Sequence, residues 1–332
     1  MYRFLTMFFF VFFPLFARVN DNQILYKIER QIKLLILSML ILFKFSLAQT
    51  SHNVPFDYPT IQSALNVASS GDTVFVEEGL YHDPIIWPNK NGIKLISNGD
   101  IENTILDFDN LQYGLVISID TTIANIDTTT IIDGFRIITS SGSNSTPGII
   151  ISNASPKIKN IKMNYSALGQ KGLIDINNSK GLFENINVQG TTEYSPTINI
   201  MASKIKFYSL IIERAGTIRN AVKINSSSVE FINSKIQNIS SRISSNPEGI
   251  TANGAFITLR NCIISEVSGN GIQLGLSRGF LLENSEISNC QNGIESEDDF
   301  SNDYNEISNY INNCKIYNNG AGILLDNTSV KI

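Results

Sequence analysis

Hydrophobic and polar positions after residue 150 follow a repeated pattern of about 25 residues. One six-residue segment recurs seven times, with successive starts between 23 and 29 residues apart. In each copy the first, fourth and sixth positions are apolar or small, and the third position is Asn in six copies. The copies are IKNIKM from Ile158, FENINV from Phe183, FYSLII from Phe207, FINSKI from Phe231, LRNCII from Leu259, LENSEI from Leu282 and INNCKI from Ile311.

This spacing matches neither the helix period nor the alternation of a plain strand. It indicates two short strands that each point a side chain inward and are joined at a tight bend. The third residue of the copy is expected to be left-handed there, a conformation that Asn tolerates better than other residues with a side chain. The bends also explain why 36 Asn occur among the 284 residues from Gln49 onward. Earlier coils are predicted at Thr104 to Phe108 and Ile131 to Ile137, with Asp107 and Gly134 at the bend.

A second element with strict period-two alternation precedes most copies, as in GLIDIN from Gly172 and NAVKIN from Asn220. Its apolar residues face one way and its polar residues the other. The sequence therefore predicts an all-β fold, a solenoid of parallel sheets with three short strands per coil. A leucine-rich repeat has a similar period, but its Asn follows a strand, whereas this Asn interrupts one.

Both ends of the solenoid carry signals of their own. A helix is predicted from Thr60 to Ser69, with Gly71 just past its end, and it is placed to cover the N-terminal end of the core. Its apolar stripe consists of Ile61, Ala64, Leu65 and Ala68. At the other end, GILLDN from Gly322 is strand-like and has no evident cap, which suggests a truncated chain or an oligomer contact.

The first 48 residues resemble a leader with two short apolar runs, Phe4 to Phe16 and Leu34 to Phe43. Neither run reaches the length needed to span a bilayer. The second run has a basic flank and ends in Ser46-Leu47-Ala48, so a signal peptide cleaved after Ala48 is predicted. The alternatives are a start assigned too far upstream and an uncleaved membrane anchor. A membrane contact is predicted only for an uncleaved leader.

The sequence thus predicts a leader (1–48), an N-terminal cap with the first coil (49–103) and further coils (104–332). From Gln49 onward there are 19 basic and 28 acidic residues, a net charge of −9. No basic face is expected to follow a phosphate backbone, so nucleic acid is not a predicted partner. Cys262, Cys290 and Cys314 lack a metal-ligand spacing and fit the repeat as small apolar fillers.

The stretch from Asp57 to Gly99 resembles the N-terminal cap and first coil of the pectin lyase-like right-handed parallel β-helix superfamily, most closely the opening of pectinesterase-like proteins. The resemblance is carried by Tyr58-Pro59-Thr60-Ile61-Gln62, Gly71-Asp72-Thr73-Val74, Gly79-Leu80-Tyr81 and Gly92-Ile93-Lys94-Leu95-Ile96. It implies a polysaccharide as partner and an extracytoplasmic location. The catalytic patterns of pectinesterases, polygalacturonases and pectate lyases are missing, apart from an echo in Asp298-Asp299, so no active site is transferred.

Alternation points polar side chains of the second element outward in two rows, about one coil apart, where a glycan could lie. Candidate substrate-binding residues are Asp175, Asn199, Thr251, Gln273, Asn225 and Asn253, and the rows also include Asn177, Met201, Gly275, Glu295, Glu297 and Asp326. Lys223 is the one cation, and a lyase could use it to take the proton alpha to a uronate carboxylate. The alternative is a solvated face whose side chains only keep the protein soluble.

The densest acidic segment, from Gly293, offers oxygen ligands for Ca²⁺. The candidate ligands are Glu295, Glu297, Asp298, Asp299 and Asp303. An acidic insertion loop without a metal is the alternative, and Asp298 and Asp299 could also serve a hydrolase as acid and base. The function predicted from the sequence is an exported β-helix that binds a polysaccharide, such as a uronate-containing glycan, with cleavage left open. The alternative is a non-catalytic surface or adhesion solenoid, or a fragment of a larger secreted protein.

Overall fold

The computed structural model describes residues 22–45, 49–109, 111, 114–118, 125–140, 147–166, 172–191, 196–213, 220–240, 246–275, 279–296, 309–325 and 330–332. The chain divides into two compact units, Met1–Gln49 and Thr50–Ile332. Helix α1 (Asn22–Phe45) belongs to the first unit, and its residues Leu34 to Leu37 are about half exposed. Neither described helix combines the length and apolar character needed to cross a bilayer. The predicted cleavage point after Ala48 borders residues outside the described ranges.

The second unit is a parallel β-helix whose strand pairings are all parallel and link one coil to the next. A 17-stranded first sheet and a 10-stranded second sheet enclose the core. The second sheet takes one strand from each coil: β4 (Ile85–Ile86), β7 (Leu115–Ser118), β9 (Ile149–Ser152), β11 (Ile174–Asn177), β13 (Ile198–Met201), β15 (Asn220–Asn225), β18 (Glu248–Asn253), β21 (Ile272–Gly275), β24 (Asn292–Ser296) and β27 (Ala321–Leu325).

The first sheet takes the remaining strands of every coil. These are β1 (Ser51–Val54), β2 (Thr73–Val76), β3 (Gly79–Tyr81), β5 (Lys94–Ser97), β6 (Thr104–Asp107), β8 (Ile131–Ser140), β10 (Lys157–Ser166), β12 (Lys180–Thr191), β14 (Lys204–Glu213), β16 (Ser228–Ile232), β17 (Lys235–Ile239), β19 (Phe256–Arg260), β20 (Ile263–Val267), β22 (Gly279–Glu283), β23 (Glu286–Cys290), β25 (Tyr310–Asn312) and β26 (Lys315–Tyr317).

The number of strands per coil differs from the prediction in the middle of the solenoid. There the two predicted first-sheet strands run on as one bent strand of 10 to 12 residues, in β8, β10, β12 and β14. From β16 onward the same path is divided into two strands, as predicted. The backbone continues through the bend in both cases, so the coil itself has the predicted course.

The predicted register and bends of the repeat are confirmed. The seven segment starts, from Ile158 to Ile311, pair in order across the first sheet. The third residue of every copy has a positive φ between 49° and 56°, and Gly134 has φ 89°. The bend prediction for Asp107 is wrong, because this residue lies in β6 and pairs with Ile138, beyond the bend. The left-handed residues are Asn160, Asn185, Ser209, Asn233, Asn261, Asn284 and Asn313.

The interior is filled by stacked apolar side chains. Successive strands of the second sheet bury one aliphatic residue above another, as at Ile174, Ile198 and Val222. On the opposite wall Phe183 and Phe207 stack with ring centroids 4.9 Å apart, and Phe207 and Phe231 with centroids 5.3 Å apart. Since neighbouring strands are about 4.8 Å apart, aromatic rings in register can stack without distortion.

The cysteines occupy this framework as unpaired residues. Cys262 and Cys290 are buried, and burial raises the pKa of each thiol to about 11. Cys314 is half-buried. Thiols that remain protonated are poor nucleophiles and poor metal ligands, which agrees with their predicted role as fillers.

The predicted cap helix is present as α2 (Ile61–Val67), slightly shorter than predicted. Thr60 is its N-cap, with a reciprocal pair of hydrogen bonds to Ser63, and Ala68 ends it with ψ 143°. Three of the four predicted apolar residues lie in the helix and are buried, and the fourth is the buried C-cap Ala68. The helix packs on β1, β2 and β4, the strands at the start of the solenoid.

Candidate functional site

The outer face of the second sheet carries the first of the two predicted polar rows. The parallel register places its six members opposite one another on consecutive coils. All six residues are half-buried, and the residues on either side of each are buried in the core. The row consists of Asp175, Asn199, Lys223, Thr251, Gln273 and Glu295, which are the predicted members.

The second predicted row lies two residues further along the same strands. Asn177, Met201, Asn225 and Asn253 pair in register, and Gly275 follows Asn253. Asn253 Nδ2 donates to Asn225 Oδ1 at 3.3 Å, so these two amides already fix each other's orientation. Met201 interrupts the polar row with a 44% exposed apolar side chain. Glu297 and Asp326, the other predicted members, lie outside the described residues.

A third row, which the sequence analysis missed, supports the first. Asn220 donates to Thr251 Oγ1 at 2.8 Å, Asn270 donates to Gln273 Oε1, and Asn292 donates to Glu295 Oε2 at 3.3 Å. These asparagines lie two residues before the first inward apolar residue of their strands. Their recurrence at this position could have identified these asparagines from the sequence. Their hydrogen bonds hold first-row side chains in place on three consecutive coils.

Lys223 lies at the middle of the first row, between Asn199 and Thr251. Within the described ranges it forms no ion pair with a carboxylate. Among the described residues of the two rows it is the one cation, with Asp175 two coils away and Glu295 three coils away. Lys223 therefore lies between two neutral hydrogen-bonding residues of the row.

Most of the predicted calcium ligands lie outside the described residues. Glu295 is the final polar member of the first row, and it accepts from Asn292. Glu297, Asp298, Asp299 and Asp303 lie outside the described residues. In the part of the chain that is described, no three His, Cys, Asp or Glu side chains come close enough to hold a metal ion.

Two histidines lie away from these rows, near the N-terminal end. His52 is buried beside Asp72, with Nε2 3.1 Å from Oδ2, and its ring contacts Tyr58 edge-on. His82 is half exposed, and its Nδ1 lies 3.3 Å from Asp107 Oδ2. Neither imidazole contacts a first-row or second-row side chain among these contacts, so both are separate from the candidate face.

Comparison with known proteins gives one family match and several structural likenesses. Residues 216–332 match the model of a right-handed β-helix region. No curated protein matches the chain significantly. Pectate lyase Pel9A has a TM-score of 0.49 at 12% identity, over 84% of this chain and 79% of that one.

Two further solved structures also resemble the chain at low sequence identity. ORF18 of Geobacillus virus E2 has a TM-score of 0.48 at 15% identity, over 93% of this chain, and the chain spans 63% of its length. The A-module of the mannuronan C-5 epimerase AlgE4 from Azotobacter vinelandii has a TM-score of 0.38 at 12% identity, over 86% of this chain and 98% of that module.

The family match covers the C-terminal coils, and the strand register shows that the preceding coils continue the same solenoid. Since every described coil after the cap repeats the same parallel pairing, the fold of the matched region extends back toward α2. The unit from Thr50 onward is therefore a parallel β-helix, whose residues 216–332 match a right-handed β-helix region.

Proposed function

We propose that the outer face of the second sheet binds an extended polysaccharide along its two polar rows. The observation that carries this proposal is the register of the first row, which presents hydrogen-bonding side chains on six consecutive coils. Parallel strands are about 4.8 Å apart, a spacing close to that of successive sugar units in an extended glycan. A polymer with repeated hydroxyl groups could meet an equivalent side chain at each coil.

The third row supports binding because it reduces the freedom of the first-row groups. Thr251, Gln273 and Glu295 are each held by an asparagine side chain. Less side-chain entropy is then lost when a ligand binds.

The proposal is tested with the full chain and a panel of neutral and acidic polysaccharides. Asn199→Ala and Gln273→Ala should each lower affinity for the bound glycan by roughly two- to tenfold, the effect of one lost hydrogen bond. Asn187→Ala is the control, since Asn187 lies on the first sheet and its Oδ1 has no hydrogen-bond partner among the described residues. Equal affinities for all variants, or no binding by the panel, would show that the face is only solvated.

Cleavage is a second candidate, favoured by the central place of Lys223 in the row. A lyase product would absorb in the ultraviolet as an unsaturated uronate, and a hydrolase product would add reducing ends without that absorbance. If Lys223 takes the proton alpha to the carboxylate, Lys223→Ala should abolish the ultraviolet signal and retain most binding. Product formation that persists in Lys223→Ala would remove this role.

Calcium binding by the acidic segment from Gly293 remains a proposal from its sequence. Carboxylate oxygens suit Ca²⁺, and a bound ion stabilises the folded state in proportion to its occupancy. Millimolar Ca²⁺ should raise the melting temperature of the protein, while Asp298→Asn with Asp299→Asn should reduce that rise. An unchanged melting temperature would remove the site.

A further inference from the structure

Three lysines on the outer face of the first sheet are each paired with a carboxylate on an adjacent coil. Lys157 pairs with Glu184 at 2.8 Å, and Lys159 pairs with Asp133 at 2.9 Å. Lys206 pairs with Glu230 at 2.7 Å, and Glu230 also lies near Arg260. In this part of the face the register places these three cations next to anions.

Lys180 and Lys204 instead lie opposite each other. They are the first residues of β12 and β14 and pair directly with each other in the parallel register. Both side chains are exposed, and neither has a carboxylate within ion-pair distance in the described part of the chain. On its other side Lys204 pairs with the neutral Ser228.

Two like charges directly opposite each other on neighbouring strands destabilise a sheet. The chain keeps this pair although acidic residues outnumber basic ones from Gln49 onward and carboxylates neutralise three nearby lysines. An anion placed between the two ammonium groups would turn the repulsion into two attractions. The unfavourable pair is thus understandable if it serves a ligand.

We infer that Lys180 and Lys204 form a binding site for an oxyanion group, a carboxylate, sulfate or phosphate, that bridges two coils. The site lies at the corner where the chain leaves the second sheet, three residues after Asn177 and Met201 of the second row. An anionic substituent of a ligand on the second row would be within reach of these long side chains. The inference goes beyond the proposed glycan binding, because a small oxyanion alone would also bind.

Dextran and dextran sulfate test this site, since they share one backbone and differ in charge. Binding of the full chain is measured by calorimetry at low and high NaCl. We expect tighter binding of dextran sulfate, weakened by salt. Lys180→Gln and Lys204→Gln should each lower that affinity by roughly two- to fivefold, the usual range for one exposed charge contact.

Lys206→Gln is the matched control. It removes one positive charge from the same face of the same strand, two residues away, but from a lysine that already has Glu230 as partner. Its affinity for dextran sulfate should stay close to that of the unmodified protein. Equal losses for Lys204→Gln and Lys206→Gln, or no preference for dextran sulfate over dextran, would overturn the inference.

The same measurements separate this site from the proposed polysaccharide face. If dextran sulfate binding depends on Lys204 but not on Asn199 or Gln273, the anion site stands and the glycan face fails. Competition by inorganic sulfate is a further test of the anion site. Sulfate should compete with dextran sulfate in the unmodified protein and compete less in Lys204→Gln, and equal competition in both would count against the site.

Discussion

At the scale of single residues, Asp72 connects three parts of the N-terminal end. Its carboxylate accepts from the backbone N–H of Thr50 at 2.9 Å and of Ser69 at 2.8 Å, and it contacts His52. Burial opposes ionisation, but the hydrogen bonds from Ser69, Thr50 and His52 outweigh it and hold the pKa of Asp72 below its ordinary value of 3.8. The ionised carboxylate therefore stabilises the folded state.

This carboxylate predicts a pH-dependent contribution to stability. Because the pKa is lower in the folded than in the unfolded state, the contribution is complete above the unfolded value and is lost as the pH falls through the folded value. Asp72→Asn should cost about 1–3 kcal/mol near neutral pH and much less in acid. Thermal unfolding at several pH values measures the difference, and a gap that stays constant down to strong acid would contradict it.

Ser209 is the exception among the left-handed bend residues. Its φ of 56° matches those of Asn185 and Asn233 on the neighbouring coils, but a serine tolerates this region less well than an asparagine. Elsewhere the bend asparagines bond from coil to coil, as Asn185 Nδ2 does to Asn160 Oδ1 at 2.9 Å. Ser209 leaves a gap in that series.

Ser209→Asn should therefore stabilise the protein by roughly 0.5–1 kcal/mol, through better backbone compatibility and a side-chain bond to a neighbouring coil. Ser228→Asn is the control, since Ser228 is exposed in the strand β16, where Asn is disfavoured. Chemical denaturation compares the two variants. A stability of Ser209→Asn at or below that of the unmodified protein would show that the bend does not discriminate between the two side chains.

At the scale of elements, a row of buried serines joins the coils at the corner between the sheets. Ser203 Oγ accepts from Ser179 N at 3.0 Å and donates to Met201 O at 2.6 Å. Ser227 Oγ makes the same two bonds to Ser203 N and Asn225 O. Each hydroxyl thus gives a buried backbone N–H of the preceding coil its acceptor, and it donates to a carbonyl that also accepts a backbone N–H from that coil.

Ser203→Ala should cost about 1–3 kcal/mol because it leaves the buried N–H of Ser179 without its partner. Ser203→Cys should cost less. At a comparable corner, Cys262 Sγ donates to Arg260 O at 3.3 Å, so a thiol can replace the hydroxyl in this fold. Denaturant unfolding measures both, and an alanine variant as stable as the cysteine variant would show that packing matters here and hydrogen bonding does not.

The sequence predicts the elements of this fold because its constraints repeat. Each bend needs a left-handed residue and each coil needs inward apolar residues, so the copies from Ile158 onward identify one another. Prediction is less accurate where the repeat is weaker. The segment around Asp107 lacks the Asn that marks the bend in later copies, so the position of its bend is predicted wrongly. The corner residues Asn153, Asn178 and Asn238 are also left-handed, but they lie outside the six-residue segment and were not predicted.

The candidate face was predictable in position and only partly in detail. Alternation alone identifies the first-row side chains, because a one-residue shift would bury them. It does not show that Asn220, Asn270 and Asn292 hold them, since these contacts depend on side-chain conformation and, for Asn220 and Thr251, on the spacing between coils. The pairing of Lys180 with Lys204 also needed the register, because the two residues are 24 positions apart in sequence.

At the scale of the whole unit from Thr50 onward, each coil contacts mainly its two neighbours. The stability of such a solenoid is close to a sum of coil and interface contributions, so a defect acts most strongly on the adjacent coils. The first coil has a neighbour on one side only, and α2 covers the other side. Leu65 is fully buried between this helix and the start of the core.

Leu65→Ala should therefore loosen the N-terminal coils before the rest of the solenoid. The cavity should cost about 2–5 kcal/mol locally, and hydrogen exchange should speed up in β1, β2 and β5 while β19 to β23 stay protected. Leu259→Ala is the matched control, because it removes the same atoms from an equally buried site in β19, with neighbours on both sides. That variant should speed exchange in the coils around β19 and leave β1 protected. If both variants raise exchange evenly along the chain, the coils unfold as one cooperative unit and α2 acts as part of the core, not as a local cover.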